Sequence, residues 1–108
     1  MIIQARSSQA STISQIVSRA NRDVAVLLGL DRENAPSHPS FCTPEWIEDD
    51  FNRGVSYFVF QHKGASCGCV AMEIPEPGMA YLNRLAVLPE YQCRGIGEKL
   101  VTHHLAHA

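Results

Sequence analysis

The spacing of the apolar residues shifts from a helical to a strand pattern at Gly54, and that shift bounds the folds open to the chain. Before Gly54 the period is helical. Ile13, Ile16/Val17, Ala20, Val24 and Leu27/Leu28 recur at three-four intervals, which predicts one helix burying a single stripe. Ser7 and Ser8 offer its N-cap and Gly29 its stop. Two prolines, Pro36 and Pro39, make Asp31 to Ser40 a loop. Thr43-Pro44-Glu45 then sets a cap, a proline and an early acid in the order a helix start requires. This second helix carries Trp46, Ile47 and Phe51 and ends at Gly54.

After Gly54 the residues turn β-branched and aromatic. Val55 to Phe60 predicts a strand, His62 to Ser66 a turn, and Cys67 to Ile74 a second strand. Pro75-Glu76-Pro77-Gly78 breaks the chain, and Met79 to Val87 forms a third strand that Pro89 stops. From Gly95, residues Ile96, Leu100, Val101 and Leu105 support a last helix. With Met1 to Arg6 as an edge strand, the expected order is β-α-α-β-β-β-α, an α/β class.

Composition narrows the function classes. At 108 residues the chain is at most one domain, residues 1–108. Nine basic against eleven acidic residues leave −2, which argues against nucleic-acid binding by bulk charge. No apolar run approaches the roughly 18–20 residues of a membrane span, so no membrane partner is expected. The start lacks the apolar core of a secretory signal, which predicts a cytoplasmic chain with reduced thiols. Cys67-Gly68-Cys69 is a C-x-C whose two thiols share one strand face. That pattern fits buried packing better than a zinc or redox site. Of His103, His104 and His107, the first and last are four apart and would share a helix face, but no third ligand of matching geometry or neighbouring Glu accompanies them. They predict surface residues rather than a metal site.

The chemistry concentrates in Leu85-Ala86-Val87-Leu88-Pro89-Glu90-Tyr91-Gln92-Cys93-Arg94-Gly95-Ile96-Gly97. A helix start presents unpaired N–H groups and a partial positive charge, so a loop bending ahead of it can wrap donors around a phosphate. Gly95 and Gly97 remove side chains that would bar that approach, and Arg94 adds a cation. A Walker loop is excluded because Leu100, not Ser or Thr, follows Lys99. The dinucleotide fingerprint is excluded too, because it needs a third glycine and Leu100 stands at that place. A glycine-bearing helix cap without function has the same local signature.

The stretch from Val87 to Gly97 resembles the acyl-CoA-binding motif of the Gcn5-related N-acetyltransferase (GNAT) family. Gln92, Gly95 and Gly97 match its Q/R-x-x-G-x-G/A pattern, and Cys93 stands where many members carry another glycine. The element order matches that family's from its first strand through its third helix. The resemblance implies a GNAT-like mixed sheet with acetyl-CoA as acyl donor. Gln92, Cys93, Arg94, Gly95, Ile96 and Gly97 would bind the pyrophosphate, and the backbone of Leu85, Ala86 and Val87 the pantetheine arm. The acceptor would be a primary amine of a small molecule or peptide. Ending at Ala108, the chain is expected to lack the family's later strands and helix, with its tyrosine acid. That would leave the Met79 to Val87 edge open to a second copy. A non-catalytic CoA-binding or interaction module is the alternative.

Catalytic residues are unassigned by this reading. Glu73 and Asn83, on successive strands, are candidates for a substrate cleft. Tyr81 and Tyr91 are expected to be packing or surface aromatics. Glu45, Glu48, Asp49 and Asp50 read as a solvated acidic face that could also attract a cationic amine. His38 and Phe41 share a loop near that entrance.

Overall fold

A computed structural model describes residues 2–92 and 95–100. Four strands, β1 (Ile2–Gln4), β2 (Ser56–His62), β3 (Ala65–Glu76) and β4 (Met79–Val87), form one antiparallel sheet in sequential order. Helices α1 (Ala10–Leu27) and α2 (Pro44–Asn52) lie between β1 and β2 in sequence. Residues 96–100 begin α3. The expected order of elements is the observed one over the described residues.

Local signals set most boundaries. Gly29 (φ +66) receives α1: its N–H donates to Val26 O, and Leu30 N–H reaches back to Ala25 O at 2.8 Å. Gly54 (φ +88) closes α2 the same way, with Val55 N–H on Asp50 O at 3.0 Å. Both are left-handed caps that an L side chain would strain. Thr43 Oγ1 accepts from Trp46 N–H at 3.4 Å, as its sequence context predicts. The β2–β3 hairpin turns on Lys63 and Gly64 alone, both at positive φ, a geometry whose twist suits tight hairpins.

Two expectations need correction. Ser7 and Ser8 do not cap α1, because Ser7–Gln9 forms a 3₁₀ turn in which Gln9 Oε1 accepts from Arg6 N–H at 3.0 Å. The buried stripe of α1 also stops early. Ile13, Ile16 and Val17 are fully covered, whereas Val24, Leu27 and Leu28 are 47%, 83% and 64% exposed. The helical period continues through them, but the packed layer beneath does not, so periodicity overstates burial there.

Register divides the sheet's faces. Tyr57, Val59, Cys67, Cys69, Ala71 and Ala86 share one face and are almost wholly buried. The Tyr57 hydroxyl meets Asp50 of α2 on that side, where α1 also packs on α2, β3 and β4. On the other face lie Phe58, Phe60, Gly68 and Val70. α3 packs there, because a Cβ at Gly68 would stand 3.1 Å from Ile96 Cγ2 and 3.4 Å from Leu100 Cδ1. The C-x-C thus packs as expected, and its central glycine is the seat of α3. Among the described residues no helix is long and apolar enough to cross a membrane.

Candidate functional site

β4 is not a regular strand. Cys69 pairs with Ala86, and Ala71 with Asn83, so two steps along β3 oppose three along β4. The extra residue is a β-bulge, and Arg84 takes φ +51 within it. Left-handed backbone costs a non-glycine residue about 1 kcal/mol or more, so other contacts must hold it. The Arg84 Nε–H donates to Asp50 Oδ2 at 3.0 Å. Its guanidinium lies 5.7 Å from the centre of the Trp46 ring. The Cys69 thiol donates to the Arg84 carbonyl at 3.6 Å.

Asp50, 5% exposed, is the centre of this cluster. Its Oδ1 accepts from Arg53 Nη2 at 2.6 Å, and its Oδ2 accepts from the Tyr57 hydroxyl at 2.5 Å besides Arg84. Burial by itself would raise the Asp50 carboxyl, but the hydrogen bonds from Tyr57, Arg53 and Arg84 outweigh it and hold the pKa below its ordinary value. Burial, then the Asp50 hydrogen bond, push the Tyr57 hydroxyl well above the usual phenol range. Asp50 therefore leaves the acidic face that helical spacing assigned it. A buried carboxylate needs partners, and Arg84 supplies one from 34 residues away.

Beside the cluster opens a cavity of about 260 Å³ lined by Asp50, Arg53, Val55, Ala71, Glu73, Asn83 and Arg84. Glu73 Oε1 pairs with Arg53 Nη1 at 3.1 Å. Glu73 and Asn83, named from sequence as cleft candidates, thus line one polar cavity. The thiols nearby are poor nucleophiles, since burial pushes Cys69 up to about 12 and Cys42 to about 11. His38 serves locally, its Nδ1 accepting from Ser40 N–H at 3.2 Å. Its ring lies edge-on to Phe41, with centroids 6.4 Å apart.

The other candidate region follows β4. Leu88 N–H donates to Cys67 O at 2.9 Å, extending the ladder one residue before Pro89–Tyr91 makes a 3₁₀ turn. Gln92 Nε2 returns to Val87 O at 3.2 Å. Gly95 sits at φ +75, and Lys99 N–H donates to its carbonyl at 3.0 Å. A Cβ at Gly95 would meet nothing within 4 Å, and one at Gly97 would only touch Leu85 Cδ2 at 4.0 Å. Leu85 is 48% exposed, whereas Ala86 and Ile96 are buried. Arg19 ties the turn to α1 through both oxygens of Glu90, at 2.8 and 3.2 Å. A second cavity of about 180 Å³, lined by Phe60, His62, Tyr91, Ile96 and Lys99, adjoins this helix start.

Cys93 and Arg94, expected in the anion-binding loop, lie outside the described residues, as do His103, His104 and His107. Sequence reasoning missed Tyr57, Asp50 and Arg84 as a unit. No local signal marked it: Leu82 and Val87 share a sheet face although five residues apart, which only their register with β3 reveals as a bulge.

Residues 23–108 match the sequence profile described as the Acetyltransferase (GNAT) family. No curated protein sequence matches the chain. Among solved structures, the PaiA N-acetyltransferase from Thermoplasma acidophilum in complex with coenzyme A superposes with a TM-score of 0.80 at 14% identity. The alignment covers 99% of this chain and 70% of that one. A GNAT family acetyltransferase from Brucella melitensis in complex with acetyl-CoA gives 0.75 at 25% identity, covering 99% and 66%. The GCN5-related N-acetyltransferase from Ralstonia eutropha JMP134 gives 0.71 at 18%, covering 99% and 74%. The chain thus spans about two thirds to three quarters of the length of these relatives. With a profile match over most of its residues and a fold that superposes on these structures, the chain belongs to the GNAT family of acetyltransferases.

Proposed function

We propose that this chain transfers an acetyl group from acetyl-CoA to a primary amine of a small molecule or peptide. The observation that carries the reading is the meeting of a strand edge with an open glycine turn. Among the described residues β4 is hydrogen-bonded on one side only, to β3. Alternation turns the Ala86 backbone toward β3, so the outward groups along Leu85 to Val87 are those of Leu85 and the Val87 N–H, which suit an amide-bearing arm laid alongside, as in strand addition. Beyond them the positive φ of Gly95 and the empty space at its Cβ position leave backbone donors open to a pyrophosphate. These features fit the donor, and we assign its binding to Leu85, Ala86, Val87, Gln92, Cys93, Arg94, Gly95, Ile96 and Gly97.

The thioester supplies an activated acyl carbon: a C–N bond forms as the C–S bond breaks, and the sulfur leaves as a thiolate that takes a proton. The chain's own part is positioning and proton handling. An acceptor amine near pKa 10.4 is almost wholly protonated at neutral pH, so its proton must go to a group or water in the cavity. Glu73 and Asn83 line that cavity, and a backbone N–H of β4 is suited to an acyl oxygen that gains charge.

Thermal unfolding with and without excess acetyl-CoA, with adenosine as the control lacking pyrophosphate, tests the reading. At about a hundred times its Kd the donor should add roughly 2.7 kcal/mol. For a chain of this size that is a shift on the order of 10 °C. No shift from a folded sample would overturn donor binding. A shift without release of free CoA on any amine would favour the non-catalytic module instead.

A further inference from the structure

We propose, resting on the acetyltransferase reading, that the 260 Å³ cavity is the acceptor site and that it selects amines bearing a carboxylate, bound by Arg84. The guanidinium of Arg84 is held along one edge and over one face. Its Nε–H is engaged by the buried carboxylate of Asp50, and the Trp46 ring lies 5.7 Å away. Among the described residues its two terminal nitrogens take no partner, and Arg84 lines the cavity. A guanidinium clamped this way presents its remaining fork in the planar geometry a carboxylate matches with two hydrogen bonds. The left-handed backbone at the bulge is what turns it there.

The remaining wall groups argue for a zwitterion rather than a plain amine. Asp50 has both oxygens engaged, by Arg53, Tyr57 and Arg84, so it has little left with which to draw in an ammonium. Glu73 gives Oε1 to Arg53 and, among the described residues, leaves Oε2 without a partner. The cavity therefore offers one anion receptor, Arg84, one cation receptor, Glu73, and the neutral amide of Asn83. An amine without an acid would leave Arg84 half-paired in a site that is 28% exposed at that side chain. The volume lies below the roughly 300–1,000 Å³ of pockets for drug-sized ligands. A free amino acid or another small aminocarboxylate is the class that fits.

The test compares each of the twenty L-amino acids with its own carboxamide, using the full chain, acetyl-CoA and release of free thiol as the readout. At least one amino acid should be acetylated with kcat/KM about 10- to 100-fold above its amide, a discrimination modest beside that of fully enclosed polar sites. Arg84→Gln should cut that advantage to near parity. Arg84→Lys keeps a cation for Asp50 should the glutamine variant unfold, and should narrow the preference several-fold because a point charge replaces the fork. Parity or amide preference across all pairs would overturn the inference, as would turnover of none of the amino acids or an Arg84→Lys enzyme with undiminished selectivity. The acetyl-CoA thermal shift separates the two readings. If it persists while selectivity is absent, acceptor recognition alone is refuted, and if it is missing, the donor reading falls and takes this one with it.

Discussion

The bulge of β4 and the segment that follows the strand are held by opposite means. At Arg84 the strand is fixed by charge: a buried carboxylate, two guanidiniums and a phenol share one set of hydrogen bonds. Around Val87 to Gly97 the chain is fixed by apolar packing, with Ile96 and Leu100 against Gly68 and only a few polar ties. On the function proposed here, the difference follows from what each region has to offer a ligand. A saturated cluster is rigid and can aim one spare edge of a side chain. A turn that must surround an anion needs its backbone donors left over, so its position has to come from somewhere else. Shape complementarity beneath the helix supplies it.

The sharpest way to break the comparison is Asp50→Asn. It strips a carboxylate from Arg53 and Arg84 and leaves Arg84 half-buried without its counter-charge. We expect a loss of about 2–4 kcal/mol in urea unfolding, with the acetyl-CoA thermal shift retained in the other region. A loss of that shift would show the two regions to be one unit. The same variant carries a pH signature. Asp50 is held below its ordinary pKa, so its contribution is complete above the unfolded carboxyl value of about 4 and is lost as pH falls through the lower folded value. That segment of the acid-unfolding profile should be missing from Asp50→Asn and present in the parent chain.

Gly68→Val probes the apolar region. Its Cβ would press 3.1 Å from Ile96 and 3.3 Å from the Ala86 carbonyl, and the backbone oxygen cannot move aside cheaply. A cost of about 1–3 kcal/mol is expected from overpacking. Because α3 rests on this spot, acetyl-CoA affinity should fall with stability. An unchanged affinity would mean that the turn holds its shape without the helix seat.

Gly95→Ala separates conformation from packing, since nothing lies within 4 Å of the added methyl. Only the φ of +75 is strained, at about 1–2 kcal/mol. Isothermal titration should show weaker acetyl-CoA binding with little change in acceptor selectivity. Equal binding by the alanine variant would remove the positive-φ turn from the donor site.

How much of this was legible depends on how far apart the deciding atoms lie in the chain. Gly29, Gly54 and the Lys63-Gly64 turn were readable because each acts within a few residues, through backbone angles that glycine and tight turns determine locally. The element order followed from the same kind of signal, and so did the Gln92-to-Gly97 motif, because it is a run of consecutive residues. Asp50 shows the limit. Within α2 it belongs to an acidic run, and no local rule says that this one carboxylate turns inward. That was decided by Tyr57 and Arg84, brought to it by the sheet. Gly68 likewise reads as a weak point between two cysteines until Ile96 and Leu100 arrive from a later helix. Val24, Leu27 and Leu28 are the converse, an apolar period that continues where the packed layer has ended. The sequence by itself determined the elements, their order and most of their ends, because these depend on backbone angles and near neighbours. Tertiary structure alone decided which charge is buried, where β4 bulges and which guanidinium edge stays free among the described residues. Those depend on distant groups competing for one another once water is excluded.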